Sequence, residues 1–554
     1  MPELDSDDVA LRQRNTAESV ARSAGITSIA VLASRVTGLA REMALTRLFG
    51  ASAANDAFLL AFRIPNLTRD LFAEGALSSA FVPTFVEYLK RKSRADAAYL
   101  ANLVATAIIV IVGAVCLLGM AFAPQLVGLF APGFRHVPGK FEMAVSMTRI
   151  MCPFLLLVAL AAQVMGILNA CNRFALPALS SSMFNIGSLV FGLLIGHVAG
   201  PSIGVSAIEG MAWGVVFGGA LQLSAQIPSL MREGFLFKPA FDFQHPGLIH
   251  IAKLMGPAIL GSAAVQINVL VNSNFASQIV DPVTGLNGPV TWVACAFRFM
   301  QLPLGLFGVA IGGATLPAIS RAAANGDMDD FRRTLSRSLG LVFLLTIPSS
   351  AGLIVIGDSI IGSLFEGREF RAYDTQQTAA ALAWFAVGLA GYAALKILVP
   401  AFYALKDSRT PMYISLASIA TNYFIVSNMT GAHAFGHAGL ALSTAAVAIS
   451  GAILQLLLLR KRVGGIYGRA LFSSVMKITF ATAIMSFGVW GAAWLAGQWQ
   501  PAGRGRHLAT LALAIPTGLG LYYYACRALK IDELDLAITA LAKPWGRLNN
   551  RITQ

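Results

Sequence analysis

The sequence predicts an all-α polytopic membrane protein, and three observations carry that reading: scarce charge, long apolar runs, and an uneven distribution of lysine and arginine. Only 12% of the 554 residues are charged and 56% are hydrophobic, where a soluble protein carries roughly 25% charge. Mean hydropathy is +0.68. The 41 Lys and Arg against 27 Asp and Glu leave a net charge of +14. On a soluble chain that excess would point to nucleic acid, but no soluble module with clustered basic and aromatic residues exists to carry such a patch. Membrane lipids are the expected surroundings, and no nucleic-acid partner is expected.

A spanning helix needs roughly 20 mostly apolar residues, and about fourteen segments meet that requirement. After a polar tail at 1–24 they run 25–48, 58–88, 100–130, 144–168, 175–198 and 206–231, then 250–280, 289–318, 336–364, 376–403, 411–430 and 437–459, and finally 470–496 and 507–526. The first two carry charges within the apolar run. A second polar tail occupies 527–554. Residues 1–24 hold Asp5, Asp7, Asp8, Glu18 and several arginines with no apolar core, unlike a signal peptide.

Cytoplasmic loops of membrane proteins are enriched in Lys and Arg. With the N-terminus inside, the inward loops hold seventeen, in groups such as Lys90, Arg91, Lys92, Arg94 and Arg460, Lys461, Arg462, whereas the outward loops hold seven, among them Arg47, Arg135, Lys140 and Arg371. Both termini are therefore expected in the cytoplasm.

The chain also repeats itself. Ala61-Phe62-Arg63 recurs as Ala296-Phe297-Arg298 and Leu71-Phe72 as Leu306-Phe307, both 235 residues on, while Ala170 and Pro177 recur as Ala404 and Pro411 at 234. A nearly constant offset across separated stretches indicates duplication of a six-span unit. An even number of spans gives both copies one orientation, a parallel repeat, and the substrate path of such transporters usually lies between the halves. The expected lobes are 25–232 and 249–462, with 469–526 an added pair of spans.

Charges stand where lipid would penalise them. The first span contains Arg35, Arg41 and Glu42; the segment entering the second holds Asp56, and the second itself Arg63, Asn66, Arg69, Asp70 and Glu74. An arginine at helix centre costs roughly 2.5–3.5 kcal/mol, so four facing lipid would cost on the order of 10 kcal/mol. Asn66, Asp70 and Glu74 fall at i, i+4 and i+8, one polar stripe on a helix. Pro65 at its start loosens the helix, which is tolerable where freed backbone meets protein or water. Two readings compete. Internal ion pairs, Arg69 with Glu74 or Arg41 with Asp56, could simply join helices. Alternatively, Arg35, Arg41, Arg63 and Arg69, with Arg298 at the repeat-equivalent position of Arg63, line a water-filled cavity that receives an anion, since guanidinium forks bind phosphate oxygens bidentately.

Other positions carry less. Lys396 in an apolar stretch is either a cavity residue or a snorkelling one. Asp407, in Lys406-Asp407-Ser408-Arg409-Thr410-Pro411, reads as a cap or turn more than as an ion ligand. His433 and His437 lack a third ligand for a metal. Gly214 with Gly218, and Gly308 with Gly312, are spaced for helix contacts. The five cysteines, Cys116, Cys152, Cys171, Cys295 and Cys526, read as small buried hydrophobes. No phosphate-cradling loop, metalloprotease helix or nucleophile elbow occurs, so neither an enzyme nor an ATP-driven pump is expected.

Ser34-Arg35-Val36-Thr37-Gly38-Leu39-Ala40-Arg41-Glu42, Asn55-Asp56-Ala57-Phe58, Arg63-Ile64-Pro65-Asn66-Leu67 and Leu71-Phe72-Ala73-Glu74-Gly75-Ala76 resemble the opening spans of the MurJ/MviN family of lipid II flippases. Gly166-Ile167-Leu168-Asn169, Met255-Gly256-Pro257-Ala258 and Pro400-Ala401-Phe402-Tyr403 extend the likeness over about residues 25–460. The resemblance implies fourteen spans in two six-helix lobes around a central cavity, and movement of undecaprenyl-pyrophosphate disaccharide-pentapeptide to the outer leaflet of the bacterial inner membrane by alternating access. It implies Arg35, Arg41, Arg69 and Arg298 as substrate-binding residues with Asp56 and Glu74 as acidic members. It further implies no cofactor beyond a coupling cation of unknown identity, and lipid II and cell-wall synthesis enzymes as partners. The family can place Asp before the last arginine; here Phe297 stands there. An exporter of another anionic polyprenyl-linked glycan would suit the same arginines, a cation–drug antiporter should carry isolated carboxylates instead, and in a scaffold for cell-wall enzymes the cluster would be structural.

Overall fold

The computed structural model describes residues 30, 32–69, 77–429, 435–499 and 503–539. Among them the chain is helical throughout, with two isolated β-bridges, Asp281 with Gly285 and Gly367 with Phe370. The first half contributes α1 (32–49), α2 (Ala53–Arg69), α3 (Ser78–Arg91), α4 (Arg94–Ala121), α5 (Lys140–Met151), α6 (Pro153–Ala170), α7 (Ala175–Leu193), α8 (Ala207–Ser224) and α9 (Pro246–Ala276). The second contributes α10 (Pro289–Pro303), α11 (Ala310–Ala324), α12 (Met328–Phe365), α13 (Ala372–Val387), α14 (Leu389–Ala404), α15 (Arg409–Met429), α16 (His437–Val463), α17 (Gly468–Trp499) and α18 (Arg504–Ala528).

Eight helical segments among the described residues are long and apolar enough to cross a bilayer, and nine if the bent pair α13 and α14 counts as one. The protein is a polytopic helical membrane protein. The remaining expected spans coincide with α1, α2 and α3, α8, α9 and α15. Two expectations differ in detail. The segment 58–88 falls on two described helices, α2 and α3, with 70–76 outside the described residues. The segment 376–403 is broken at Gly388, where α13 and α14 meet at 42°. A β-carbon at Gly388 would lie 2.6 Å from the Ala445 Cα, so the bend falls where only glycine admits the neighbouring helix.

Packing divides the chain into two units, Met1–Phe49 with Ala53–Gln266, and Gly50–Ser52 with Ile267–Gln554. The core of the first is built from Phe81, Phe85, Leu100, Val104 and Leu155 on α3, α4 and α6. In the second, Ile319, Phe331, Leu335, Leu398 and Phe402 join α11, α12 and α14, and Leu344, Ile478 and Cys526 seat α17 and α18 on α12. Starts are capped where the sequence supplies the residues. Ser93 with Asp96 opens α4 and Ser206 with Glu209 opens α8, each a reciprocal box.

Glycine spacing sets one seam of the first unit. Gly210, Gly214 and Gly218 lie at i, i+4 and i+8 along α8, and added β-carbons would fall 2.2 Å from Gly196 Cα, 2.4 Å from the Ser188 carbonyl oxygen and 2.7 Å from the Phe184 carbonyl oxygen. These helices touch by backbone, as small-residue spacing permits. Gly214→Val is expected to cost about 1–3 kcal/mol, the usual range for overpacking, read as a lower thermal midpoint in detergent. Gly312 likewise packs against the Lys396 carbonyl oxygen, 2.4 Å from where its β-carbon would lie.

Candidate functional site

Helices α1, α2 and α7 position the arginine cluster of the first unit. Asn185 on α7 donates from Nδ2 to the Ser34 carbonyl at 3.1 Å and to Thr37 Oγ1 at 3.5 Å, and a β-carbon at Gly38 would lie 3.3 Å from that same amide. The clasp fixes α1 between Arg35 and Arg41. Arg35 is exposed and Arg41 half-buried. The Arg41 guanidinium lies 5.5 Å from the Phe62 ring centroid and 5.1 Å from that of Phe184. Phe154 packs against both rings at a tilt, 5.8 Å from Phe62 and 5.1 Å from Phe184. Three rings from α2, α6 and α7 thus form an apolar floor under one cation. Aromatic faces attract a cation without using its N–H donors, a suitable footing for a group that meets an anion.

Along α2, Arg63, Asn66 and Arg69 are half-buried, and Asn66 Oδ1 is enclosed without a hydrogen-bond partner. Asp56, weighed above as a partner for Arg41, is paired with Lys140 of α5. Their Nζ and Oδ2 are 2.8 Å apart and both side chains are wholly buried. Lys140 Nζ also stands 4.3 Å from the Phe134 ring centroid. Sequence reasoning placed Lys140 among the outward loop charges. Nothing in Pro138-Gly139-Lys140 signals a carboxylate 84 residues earlier. Glu74 lies outside the described residues, as does the Arg69–Glu74 pair that depends on it.

In the second unit Arg298 is half-buried on α10. Its neighbour Phe297 packs edge-on against Phe385 of α13 at 5.3 Å, so the position before Arg298 joins helices instead of supplying a carboxylate. Lys396 is exposed on α14. Asp407 caps α15: Oδ1 accepts from the amides of Arg409 at 3.1 Å and Thr410 at 3.0 Å, and Oδ2 from Thr410 Oγ1 at 2.7 Å. Arg462 of α16 also pairs with Oδ2. Of its two readings the structure shows the cap. Thr410's hydrogen bonds, then Arg462, hold this carboxyl below its ordinary value. A lowered folded pKa means the contribution is present above about 3.9 and lost as pH falls through the folded value. Asp407→Ala is expected to cost about 1 kcal/mol at pH 7, a gap from the parent that narrows in melts below pH 4.

A neutral polar network was missed entirely. Asn272 Nδ2 donates to Thr444 Oγ1 at 3.2 Å, Asn422 Nδ2 to Asn272 Oδ1 at 3.1 Å, and Ser443 Oγ to Asn422 Oδ1 at 3.0 Å. It ties α9, α15 and α16 through uncharged groups. The recurring Asn and Ser on apolar helices was its available signal. His437 donates from Nε2 to the Gln377 carbonyl oxygen, 2.8 Å away, and His433 lies outside the described residues. Among the described residues no group of three His, Cys, Asp or Glu is arranged to hold a metal.

A polytopic helical protein that holds cations within its spans belongs to the class of membrane transporters. The family model for the lipid II flippase MurJ matches residues 45–503. The lipid II flippase MurJ of Burkholderia cenocepacia is 35% identical over 441 residues, covering 79% of this chain and 82% of that protein. The probable lipid II flippase MurJ of Vibrio cholerae is 31% identical, covering 93% and 97%. A solved structure of a lipid II flippase MurJ in an inward closed conformation superposes with a TM-score of 0.73 at 26% identity, covering 91% of this chain and 99% of that one. An inward-facing MATE family transporter shares the fold at TM-score 0.61 and 15% identity. The chain belongs to the MurJ family of lipid II flippases.

Proposed function

We propose that this protein flips lipid II from the inner to the outer leaflet of a bacterial cytoplasmic membrane, both termini inside, by alternating access of two six-span lobes, 25–232 and 249–462, with 469–526 as two further spans. Arg35, Arg41 and Arg69 of one lobe and Arg298 of the other bind the cargo pyrophosphate. Arg63 and Asn66 add to the polar lining, and Asp56 and Glu74 are its acidic members, Asp56 being paired with Lys140 in the conformation described. The observation that carries the reading is the Arg41 guanidinium over an aromatic floor in a chain of the lipid II flippase family. Arginine is suited to pyrophosphate because it stays charged and binds two oxygens at once. The chain lacks an ATP-binding loop, so the reading draws on membrane potential or an ion gradient, worth about 2.3 kcal/mol per charge per 100 mV; a coupling cation would act there.

Depletion in cells tests this. Lipid II is expected to accumulate out of reach of an externally added lipid II-cleaving enzyme. Undiminished external cleavage after depletion would sink the proposal.

A further inference from the structure

Within the second unit, the first turns of α12, the first turns of α17 and the residues following α18 line an open cavity of about 790 Å³. Its lining carries four cations, Arg333, Arg337, Lys477 and Lys530, against two carboxylates, Asp532 and Glu533. Glu533 accepts from Ser474 Oγ at 2.6 and 2.8 Å. Arg333 pairs with Asp329 at 3.0 Å, whereas Lys477 Nζ donates to the Lys530 carbonyl oxygen at 3.3 Å. With Arg333 paired to Asp329, the three cations Arg337, Lys477 and Lys530 stand against Asp532 and Glu533, an excess of positive charge that main chain and side chain from three elements bring together.

The surroundings place this cavity against lipid. Phe472, Met476 and Phe480, on successive turns of α17, are 67%, 54% and 60% exposed. On a spanning helix such a stripe is acyl-chain surface. Lys477 follows Met476, so the basic lining and the apolar stripe are adjacent faces of one helix. On α18, Tyr523 and Tyr524 are also exposed, two turns before Lys530, where aromatic residues mark headgroup depth. Basic pockets between spanning helices at that depth suit anionic headgroups.

We propose that this cavity binds the phosphate of an anionic phospholipid, with Arg337, Lys477 and Lys530 supplying the charge and the acyl chains lying along Phe472, Met476 and Phe480. The assignment needs only the membrane-spanning fold and stands apart from the choice of cargo. The full-length protein, delipidated and given phosphatidylglycerol or phosphatidylcholine, would be examined by native mass spectrometry for retained lipid. The parent is expected to retain phosphatidylglycerol on the order of tenfold better than phosphatidylcholine. The combined variant Arg337→Gln, Lys477→Gln, Lys530→Gln should lose that preference, while Lys90→Gln, Arg91→Gln, Lys92→Gln, which removes three charges elsewhere, should keep it. Equal loss in both overturns the site in favour of general surface charge. The single variants Arg337→Gln and Lys530→Gln, both at exposed positions, should weaken retention with unchanged thermal midpoints in phosphatidylcholine nanodiscs. Weakening seen only where the midpoint also falls overturns the proposal. Glycerol phosphate should stabilise neither protein; stabilisation of the parent equal to that by phosphatidylglycerol would assign the cavity to a soluble phosphate and overturn the lipid.

Discussion

Lys140→Met is expected to destabilise the protein by about 3–5 kcal/mol, the range for breaking a buried ion pair from one side. Asp56 and Lys140 are both wholly buried and 2.8 Å apart. Methionine keeps most of the lysine volume and its contact with Phe134 but takes away the ammonium beside the carboxylate. Removing both charges should be far milder. Replacing a buried pair with apolar residues of similar size is often neutral or stabilising, so Lys140→Met combined with Asp56→Leu should recover most of the loss. Thermal or denaturant unfolding in detergent reads the cycle. A single-variant cost under 1 kcal/mol would mean that the pair is solvated in the protein as it exists in solution. The double variant also separates stability from transport: recovered folding without recovered flipping would give Asp56 a role in the cargo path.

Arg41→Ala is expected to abolish growth when the variant is the sole flippase, at undiminished protein level. A hydrogen bond to a charged group contributes about 1.5–3 kcal/mol, which corresponds to a loss in cargo affinity on the order of tenfold to a hundredfold. Loss of the cation–π contacts with Phe62 and Phe184 costs the fold itself only about 0.5–2 kcal/mol. Arg41→Lys should rescue poorly, because an ammonium keeps the charge but presents no planar fork. Full growth of the alanine variant would remove Arg41 from the binding set and weaken the phosphate reading of the whole cluster.

What could be read in advance depended on how local its cause was. Apolar runs declare themselves along the chain, so expected spans from 100–130 to 507–526 coincide with helices, and Asp407 announced its cap through Asp-Ser-Arg-Thr-Pro within one turn. The break at Gly388 was hidden because its reason is Ala445, on another helix. Lys140 was sorted with loop charges for the same kind of reason, since only tertiary packing brings it to Asp56. Arg41 was conspicuous as a charge in an apolar span. The floor beneath it, Phe62, Phe154 and Phe184, was not: phenylalanine is common on such helices and these three become one surface only after α2, α6 and α7 pack.

The contact of α8 with α7 and with the turn that follows it at 194–199 runs main chain against main chain at Gly210, Gly214 and Gly218, so few rotamers lie between them to be reset. Such a pair has few soft degrees of freedom and is mechanically a single lever. Phe184 and Asn185 ride on it. Helix α1 is fastened to the same lever at Ser34 and Thr37 by one amide side chain. Displacement within the first unit should therefore gather at that fastening, sliding Arg41 across its aromatic floor while the lever keeps its shape.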